Sequence, residues 1–150
     1  MGQFRAVAKT VDVIVVGAGP AGGAAGAVLV NNGRSVLLLE QQSLPRTKPC
    51  GGAVPAPLLE RYPAASAAGF FRWIERVSFQ LRREPPVEVS LPERSIALLD
   101  RARFDAALAE GSGAEIRDAC AARHIHQDRD GVTVEVDSGE RFRASYCILT

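Results

Sequence analysis

Residues 11–22 read VDVIVVGAGPAG, an apolar, β-branched run that passes directly into a glycine turn. A run of this kind is typical of a strand that is buried on both faces of a parallel sheet. The small residues after the turn predict a helix to about Asn31, and 35–40 follows as a second apolar strand. Because a helix joins the two strands, they should lie parallel, and 11–40 is predicted to be a βαβ unit.

The turn itself has the pattern G-x-G-x-x-G in the strand-to-helix setting that dinucleotide binding requires. Gly17 permits the tight turn, Gly19 lets the backbone approach a pyrophosphate, and Gly22 lets the helix pack closely. The phosphates then meet backbone N–H groups and the positive end of the helix dipole. We expect cofactor contacts from the whole turn, namely Gly17, Ala18, Gly19, Pro20, Ala21 and Gly22.

Glu40 ends the second predicted strand, 23 residues after Gly17. A carboxylate at this position accepts hydrogen bonds from a ribose 2′-hydroxyl and repels a 2′-phosphate. The pair therefore predicts the adenosine of FAD or NAD rather than of NADP. The alternative is a glycine turn accompanied by a solvated glutamate.

The remaining pattern predicts a Rossmann-like α/β fold with a central parallel sheet, the crossover helix and a small antiparallel β-meander. Residues 41–57 contain four prolines and are predicted to be a loop. The further predicted elements are a helix at 58–68 broken near Pro63, strands at 76–81, 87–91 and 96–99, a helix at 100–109, meander strands at 123–127, 132–136 and 141–144, and a last strand at 146–149.

Composition excludes several classes of protein. Eighteen basic residues balance seventeen acidic ones, so no large net field attracts nucleic acid. Residues 13–30 are uncharged, but their glycines and proline argue against a transmembrane helix. Three widely spaced cysteines have neither metal-site nor disulfide spacing, so we expect no metal and a cytoplasmic protein. The first ten residues form no signal peptide and are predicted to be a disordered or peripheral lead.

Four segments carry a resemblance in their order along the chain: 12–22, 37–40, PRTKPCGG at 45–52 and RARFD at 101–105. Together they resemble the geranylgeranyl reductase family of FAD-dependent oxidoreductases. That family is part of a larger set that includes aromatic hydroxylases similar to para-hydroxybenzoate hydroxylase. The proline, arginine and Cys-Gly-Gly loop favours the reductase branch.

The resemblance implies that FAD is the cofactor and that NAD(P)H is a possible electron donor. Glu40 and Gln41 would contact the adenosine ribose, Arg101 the phosphates and Ala122, through its backbone, the adenine. The loop with Arg46, Gly51 and Gly52 would approach the flavin. The full-length enzyme would transfer hydride from reduced flavin to an isoprenoid or other double bond of a small molecule, lipid or aromatic, with a possible peripheral membrane location.

Several roles stay open at this stage. Cys50 is either a catalytic thiol, activated by Arg46 and Lys48, or a loop-shaping residue. Arg101 either contacts phosphate or pairs with Asp105 on the helix surface. His124 and His126 are expected on a solvent-facing strand, and Phe70, Phe71 and Trp73 in the core or covering a sheet.

The expected activity also has alternatives. An FAD-dependent aromatic monooxygenase shares the glycine turn and Arg101. An NAD-dependent dehydrogenase is a weaker alternative, because the Gly-Pro-Ala-Gly run and the long proline loop argue against it. A third reading is a truncated, non-catalytic fragment, because members of the family continue past the last strand into an Asp-Gly segment and a substrate domain that these 150 residues lack. The helix after Asp105 also reaches Gly111-Ser112-Gly113 about one turn earlier than the family pattern.

Overall fold

The structure is a computed structural model that describes residues 7–68 and 71–150. The chain divides into two compact units, one made of Met1–Arg46 with Asp105–Thr150 and the other of Thr47–Phe104. In chain order the elements are β1 (Val7–Val16), α1 (Pro20–Asn31), β2 (Val36–Leu39), β3 (Ala53–Pro55), α2 (Ala56–Arg61), α3 (Pro63–Ala68), β4 (Phe71–Trp73), β5 (Arg76–Phe79), β6 (Val87–Ser90), β7 (Ile96–Leu99), α4 (Arg101–Glu110), β8 (Glu115–Arg117), β9 (Ala122–Asp128), β10 (Gly131–Val136) and β11 (Arg141–Leu149).

The first unit contains a six-stranded sheet with the order β8-β2-β1-β11-β10-β9. β1 is parallel to both β2 and β11, and β2 is parallel to β8. β10 is antiparallel to β11 and β9, which completes the meander. The predicted fold is therefore confirmed: a central parallel sheet, a crossover helix and a small antiparallel extension.

The strand order reverses between β1 and β11. From β1 the chain runs outward to β2 and β8 on one side, and β11 returns on the other side. In open α/β sheets, ligands bind beyond the carboxyl ends of the strands at such a reversal. This places the glycine turn, which follows β1, at the position where a ligand site is expected.

Both faces of the parallel sheet are packed. Val13, Val15 and Leu38 form one apolar cluster with Ala109 of α4, and Ile14, Leu37, Val134 and Phe142 belong to a second. Gly23 of α1 lies against α4 so closely that a Cβ there would be 3.0 Å from Leu108 Cγ. Small residues in α1 thus let two helices approach each other.

The second unit is a small antiparallel assembly. Its strands form a three-stranded sheet with the order β3-β7-β4 and a separate two-stranded sheet of β5 and β6. The rings of Phe71 and Trp73 meet edge to face with centroids 5.5 Å apart. Phe71 and Trp73 are half-buried, in line with the predicted sheet-covering role, whereas Phe70 lies outside the described residues.

Several predicted boundaries needed correction. β1 begins at Val7, so 7–10 belong to the sheet rather than to the predicted lead, and 1–6 lie outside the described residues. The predicted loop 41–57 contains β3 and the start of α2, and the two segments predicted at the carboxyl end are one strand, β11. The three-residue strands β3, β4 and β8 were not predicted, because three residues are too few to show a period.

The break near Pro63 is confirmed, since α2 ends at Arg61 and α3 begins at Pro63. None of the helices in the described parts of the chain is long and apolar enough to cross a membrane.

Candidate functional site

Gly17 makes the tight turn at the end of β1. Its φ of +107° lies in the region that side chains disfavour. A Cβ on Gly17 would also stand 2.6 Å from Oγ1 of Thr150, the residue after β11. The Thr150 hydroxyl donates toward the carbonyl oxygens of Val16 and Gly17, each 3.1 Å away. The Thr150 hydroxyl thus connects the ends of β1 and β11 at the glycine turn.

The other two glycines of the motif differ in what surrounds them. A Cβ on Gly22 would lie 1.8 Å from the carbonyl oxygen of Gly17, so only glycine fits there. A Cβ on Gly19 would meet only the Arg46 Nη2, at an ordinary distance of 3.5 Å. Packing therefore explains why residue 22 is glycine. At Gly19 the space around the Cβ position is open, as the close approach of a ligand requires.

The first turn of α1 presents backbone N–H groups. Gly19 is the N-cap, Pro20 follows it, and no side chain caps this end of the helix. Uncapped N–H groups and the helix dipole favour an anion at this end. Pro20 has no N–H and suits the first helical position, so Ala21 and Gly22 are the residues that present N–H groups there.

Glu40 lies at the carboxyl end of β2 and is 4% exposed. Its Oε2 accepts the Ala18 N–H at 3.0 Å and lies 2.9 Å from Arg46 Nε, and its Oε1 accepts the Gln42 N–H at 3.0 Å. The alternative of a solvated glutamate is wrong. The carboxylate is instead oriented by the glycine turn on one side and by the chain after β2 on the other.

These contacts decide the charge of Glu40. Burial raises the pKa of its carboxyl, but the Gln42 N–H, the Arg46 guanidinium and the Ala18 N–H outweigh burial and leave the pKa below its usual value. Glu40 is therefore an anion at neutral pH, as a hydrogen-bond acceptor for ribose hydroxyls must be.

Arg46 joins three parts of the first unit. Its Nε faces Glu40, its Nη1 lies 3.6 Å from Asp105 Oδ2, and its Nη2 is the atom nearest to the Cβ position of Gly19. The Arg46 side chain is 8% exposed and the Asp105 side chain is fully buried. The sequence left open whether Arg46 activates Cys50. In the structure the Arg46 guanidinium is paired with these two carboxylates.

The segment before β9 runs beside Glu40. The Cys120 N–H donates to the Glu40 carbonyl oxygen at 2.8 Å, and Ala121 is buried. Ala122 begins β9 and packs against one apolar cluster of the sheet. Gln41 is exposed directly after Glu40. The structure thus brings Gln41 and Ala122, the expected ribose and adenine contacts, to the same end of β2.

The remaining predicted residues belong to the second unit. Cys50 is exposed, and its Sγ accepts hydrogen bonds from Arg101 Nη1 at 3.1 Å and from the Gly52 N–H at 3.4 Å. A Cβ on Gly52, whose φ is +72°, would be 2.7 Å from the Leu99 carbonyl oxygen, whereas nothing surrounds the Cβ position of Gly51. Packing against β7 therefore gives Gly52 a reason to be glycine within the fold.

The two histidines are surface residues. His124 and His126 are exposed on β9, the edge strand of the sheet, as predicted. Within the described residues, no group of three or more His, Cys, Asp or Glu side chains is arranged to hold a metal ion.

Sequence reasoning missed two contributors to the site. Asp105 was considered only as a surface partner of Arg101, yet it is buried against Arg46. Thr150 was treated only as the last residue, although its hydroxyl supports the glycine turn. A polar residue directly after a central parallel strand is the signal that identifies Thr150, but no local pattern reveals the partner of Asp105.

A family model described as the FAD binding domain matches residues 10–148. The chain is 32% identical over 118 residues to the chloroplastic geranylgeranyl diphosphate reductase of Oryza sativa subsp. japonica, a match that covers 72% of this chain and 24% of that protein. It is 30% identical over 155 residues to the rifampicin monooxygenase of Streptomyces venezuelae, covering 91% of this chain and 31% of that protein.

Among solved structures, a geranylgeranyl bacteriochlorophyll reductase-like protein from Thermoplasma acidophilum superimposes with a TM-score of 0.76 at 20% identity. The match covers 95% of this chain and 39% of that one, and at this identity it supports the fold alone. The chain thus spans between about a quarter and two-fifths of the length of these proteins.

Proposed function

The chain belongs to the FAD binding domain family, and on that premise we propose that its first unit holds the ADP half of FAD between the glycine turn and Glu40. The observation that carries the proposal is the buried carboxylate of Glu40, which the Ala18 N–H ties directly to the turn. This hydrogen bond joins the proposed ribose acceptor, Glu40, to the glycine turn that would bind the phosphates.

The residues present fit this cofactor. The position above Gly19 has room for a phosphate, because a Cβ there would meet only Arg46 Nη2. The uncapped first turn of α1 supplies N–H donors, and Arg46 supplies a positive charge over the same glycine. An anionic Glu40 supplies the acceptor for ribose hydroxyls. When bound, FAD would provide a flavin that accepts and donates hydride.

Each residue then has a defined task. The N–H groups of Ala21 and Gly22 and the Arg46 guanidinium bind the pyrophosphate. Glu40, assisted by Gln41, orients the ribose, and the backbone at Ala122 borders the adenine. Arg101 is proposed as a further phosphate contact, and Gly51 and Gly52 as part of the loop that reaches the flavin. Cys50, which accepts a hydrogen bond from Arg101, belongs to the same loop.

For a protein as long as these relatives, we propose the activity of a reductase of the geranylgeranyl reductase type. Reduced flavin would transfer hydride to an isoprenoid or other double bond, with NAD(P)H as the electron donor. The motifs at 45–52 and 101–105 support this branch, and so does the match to the rice reductase over 72% of the chain.

The test is flavin retention. The purified chain is incubated with excess FAD and desalted, and its visible absorption spectrum is recorded for the wild type, Gly19→Val and Glu40→Ala. We expect retained flavin in the wild type and little in either variant. Glu115→Gln is the matched control. Glu115 lies on β8, away from the turn, and pairs with Lys9 of β1. A cooperatively folded wild type that retains no flavin would contradict the proposal.

A second candidate is an FAD-dependent aromatic monooxygenase, which the match to rifampicin monooxygenase over 91% of the chain favours. The two activities separate in a protein extended to the length of its relatives. Oxygen consumption stimulated by a phenolic substrate would indicate a monooxygenase. Anaerobic reduction of an isoprenoid double bond would indicate a reductase. Neither activity, with FAD retained, would indicate a non-catalytic FAD-binding chain.

A further inference from the structure

Glu40, Arg46 and Asp105 form a buried triad beside the glycine turn. Their side chains are 4%, 8% and 0% exposed, respectively. Two carboxylates share one guanidinium, so the triad carries a net charge of one negative unit when all three are ionised. Removing charged groups from water is costly unless their partners are well placed. The Asp105 carboxylate thus lies where it can act on the Arg46 guanidinium.

The geometry of the guanidinium provides the explanation. The group is planar, and its nitrogens have fixed directions. Nε lies 2.9 Å from Glu40 Oε2, and Nη1 forms a longer ion pair with Asp105 Oδ2 at 3.6 Å. With Nε and Nη1 each facing a carboxylate, the third nitrogen, Nη2, faces Gly19, 3.5 Å from the Cβ position. With the Glu40 anchor alone, the guanidinium could turn to a paired, fork-like contact with that carboxylate, which would take Nη2 away from the turn.

We propose that Asp105 is a positioning residue for pyrophosphate recognition: it holds Arg46 so that Nη2 faces the phosphates above Gly19 while Nε stays on Glu40. Asp105 acts through Arg46 and does not itself touch the ligand. The inference rests on the proposed function, because the ligand it serves is the pyrophosphate of FAD. The inference assigns Asp105 a role in binding pyrophosphate although both groups are anions, because Asp105 acts only through Arg46.

The first test is a double-mutant cycle on FAD affinity, measured by titration of flavin fluorescence with the full chain. The variants are Asp105→Asn, Arg46→Gln and the double variant. We expect Asp105→Asn to weaken binding by about tenfold, the loss of one charge-assisted contact, and to have no further effect once Arg46 is replaced. Additive losses, an unchanged affinity or a tighter complex in Asp105→Asn would each overturn the proposal.

Folding is controlled separately. Ser112→Ala removes another buried polar side chain, one that donates to Ala109 at the end of α4, and should leave FAD affinity unchanged. Thermal melting shows whether each variant is folded. If Asp105→Asn does not fold, Asp105→Ser takes its place in the cycle, because the smaller side chain leaves the same site without a charge.

The second test needs no FAD. The Arg46 Nε–H resonance in a ¹⁵N–¹H NMR spectrum, assigned by its disappearance in Arg46→Lys, reports how the guanidinium is held. We expect the resonance to shift and broaden in Asp105→Asn and to be unchanged in Ser112→Ala. An unchanged resonance in Asp105→Asn would overturn the positioning role. If the wild type binds no FAD but this resonance depends on Asp105, the proposed function fails while the hold of Asp105 on Arg46 stands.

Discussion

The backbone N–H of Ala18 donates to Oε2 of Glu40 over 3.0 Å, inside the protein. This hydrogen bond therefore connects the glycine turn after β1 directly to the end of β2. The Gly17 N–H strengthens the link by donating to the Leu39 carbonyl oxygen at 2.8 Å. A change at either end of this link should therefore affect the other end.

Gly19→Ala and Gly22→Ala should separate binding from folding. At Gly19 the backbone is extended, with φ of −77°, and the added methyl meets only the end of Arg46. We expect this variant to fold with a stability within about 1 kcal/mol of wild type. Its FAD affinity should fall by about a hundredfold, equivalent to two charge-assisted hydrogen bonds. Urea unfolding and flavin titration measure the two effects.

At Gly22 the methyl would lie 1.8 Å from the Gly17 carbonyl oxygen, which belongs to backbone and cannot rotate away. We expect Gly22→Ala to lose about 3 kcal/mol of unfolding free energy, the upper end of the usual cost of overpacking, seen as a lower urea midpoint. Equal stability of the two alanine variants would contradict this reading of the turn.

Glu40→Gln should reduce stability in a pH-dependent way. The folded-state pKa of Glu40 lies below its ordinary value of 4.5, so its contribution is present above that value and is lost as pH falls through the folded-state pKa. We expect the variant to be about 2 kcal/mol less stable at neutral pH, the scale of hydrogen bonds to a charged group. The difference should shrink as the pH falls below 4.5.

Urea unfolding of both proteins across this pH range measures the difference. Glu115→Gln is the control, because Glu115 pairs with Lys9 at the surface. A difference between wild type and Glu40→Gln that stays constant to low pH would show that the ionised carboxylate is not what stabilises the turn.

Asp128 on β9 should titrate far below an ordinary aspartate. The Arg143 guanidinium, with Nη2 2.7 Å from Asp128 Oδ1, and the Asp130 N–H lower the pKa of this carboxyl from 3.8 to about 2. Carboxyl ¹³C NMR should give this value in the wild type. In Arg143→Gln the midpoint should move up toward 3.8, and an unmoved midpoint would exclude Arg143 as the principal cause.

The three cysteines should react with iodoacetamide in a defined order. Cys50 is exposed. Burial raises the pKa of Cys147, and burial together with the charges of Asp137 and Glu140 raises the pKa of Cys120. Since the thiolate is the reactive form, we expect Cys50 to be alkylated first at neutral pH. Peptide mass spectrometry after short exposures measures the order, and equal rates in the folded chain would contradict it.

Much of the fold could be predicted from local pattern. The βαβ unit, the break before Pro63, the helix at 101–110 and the meander all show a period or a turn signal within a few residues. The short strands β3, β4 and β8 were missed because their pairing partners, not their own residues, define them as strands.

By itself, the sequence determined the class of site: a glycine turn between strand and helix, with Glu40 at the end of the next strand. The physical reason is that backbone angles and strand length are local properties, read from a few neighbouring residues. The tertiary structure alone decided which distant groups meet there. Asp105 reaches Arg46 from α4, and Thr150 reaches Gly17 across 133 residues. Such contacts depend on how helices and strands pack together, and no local pattern encodes that packing.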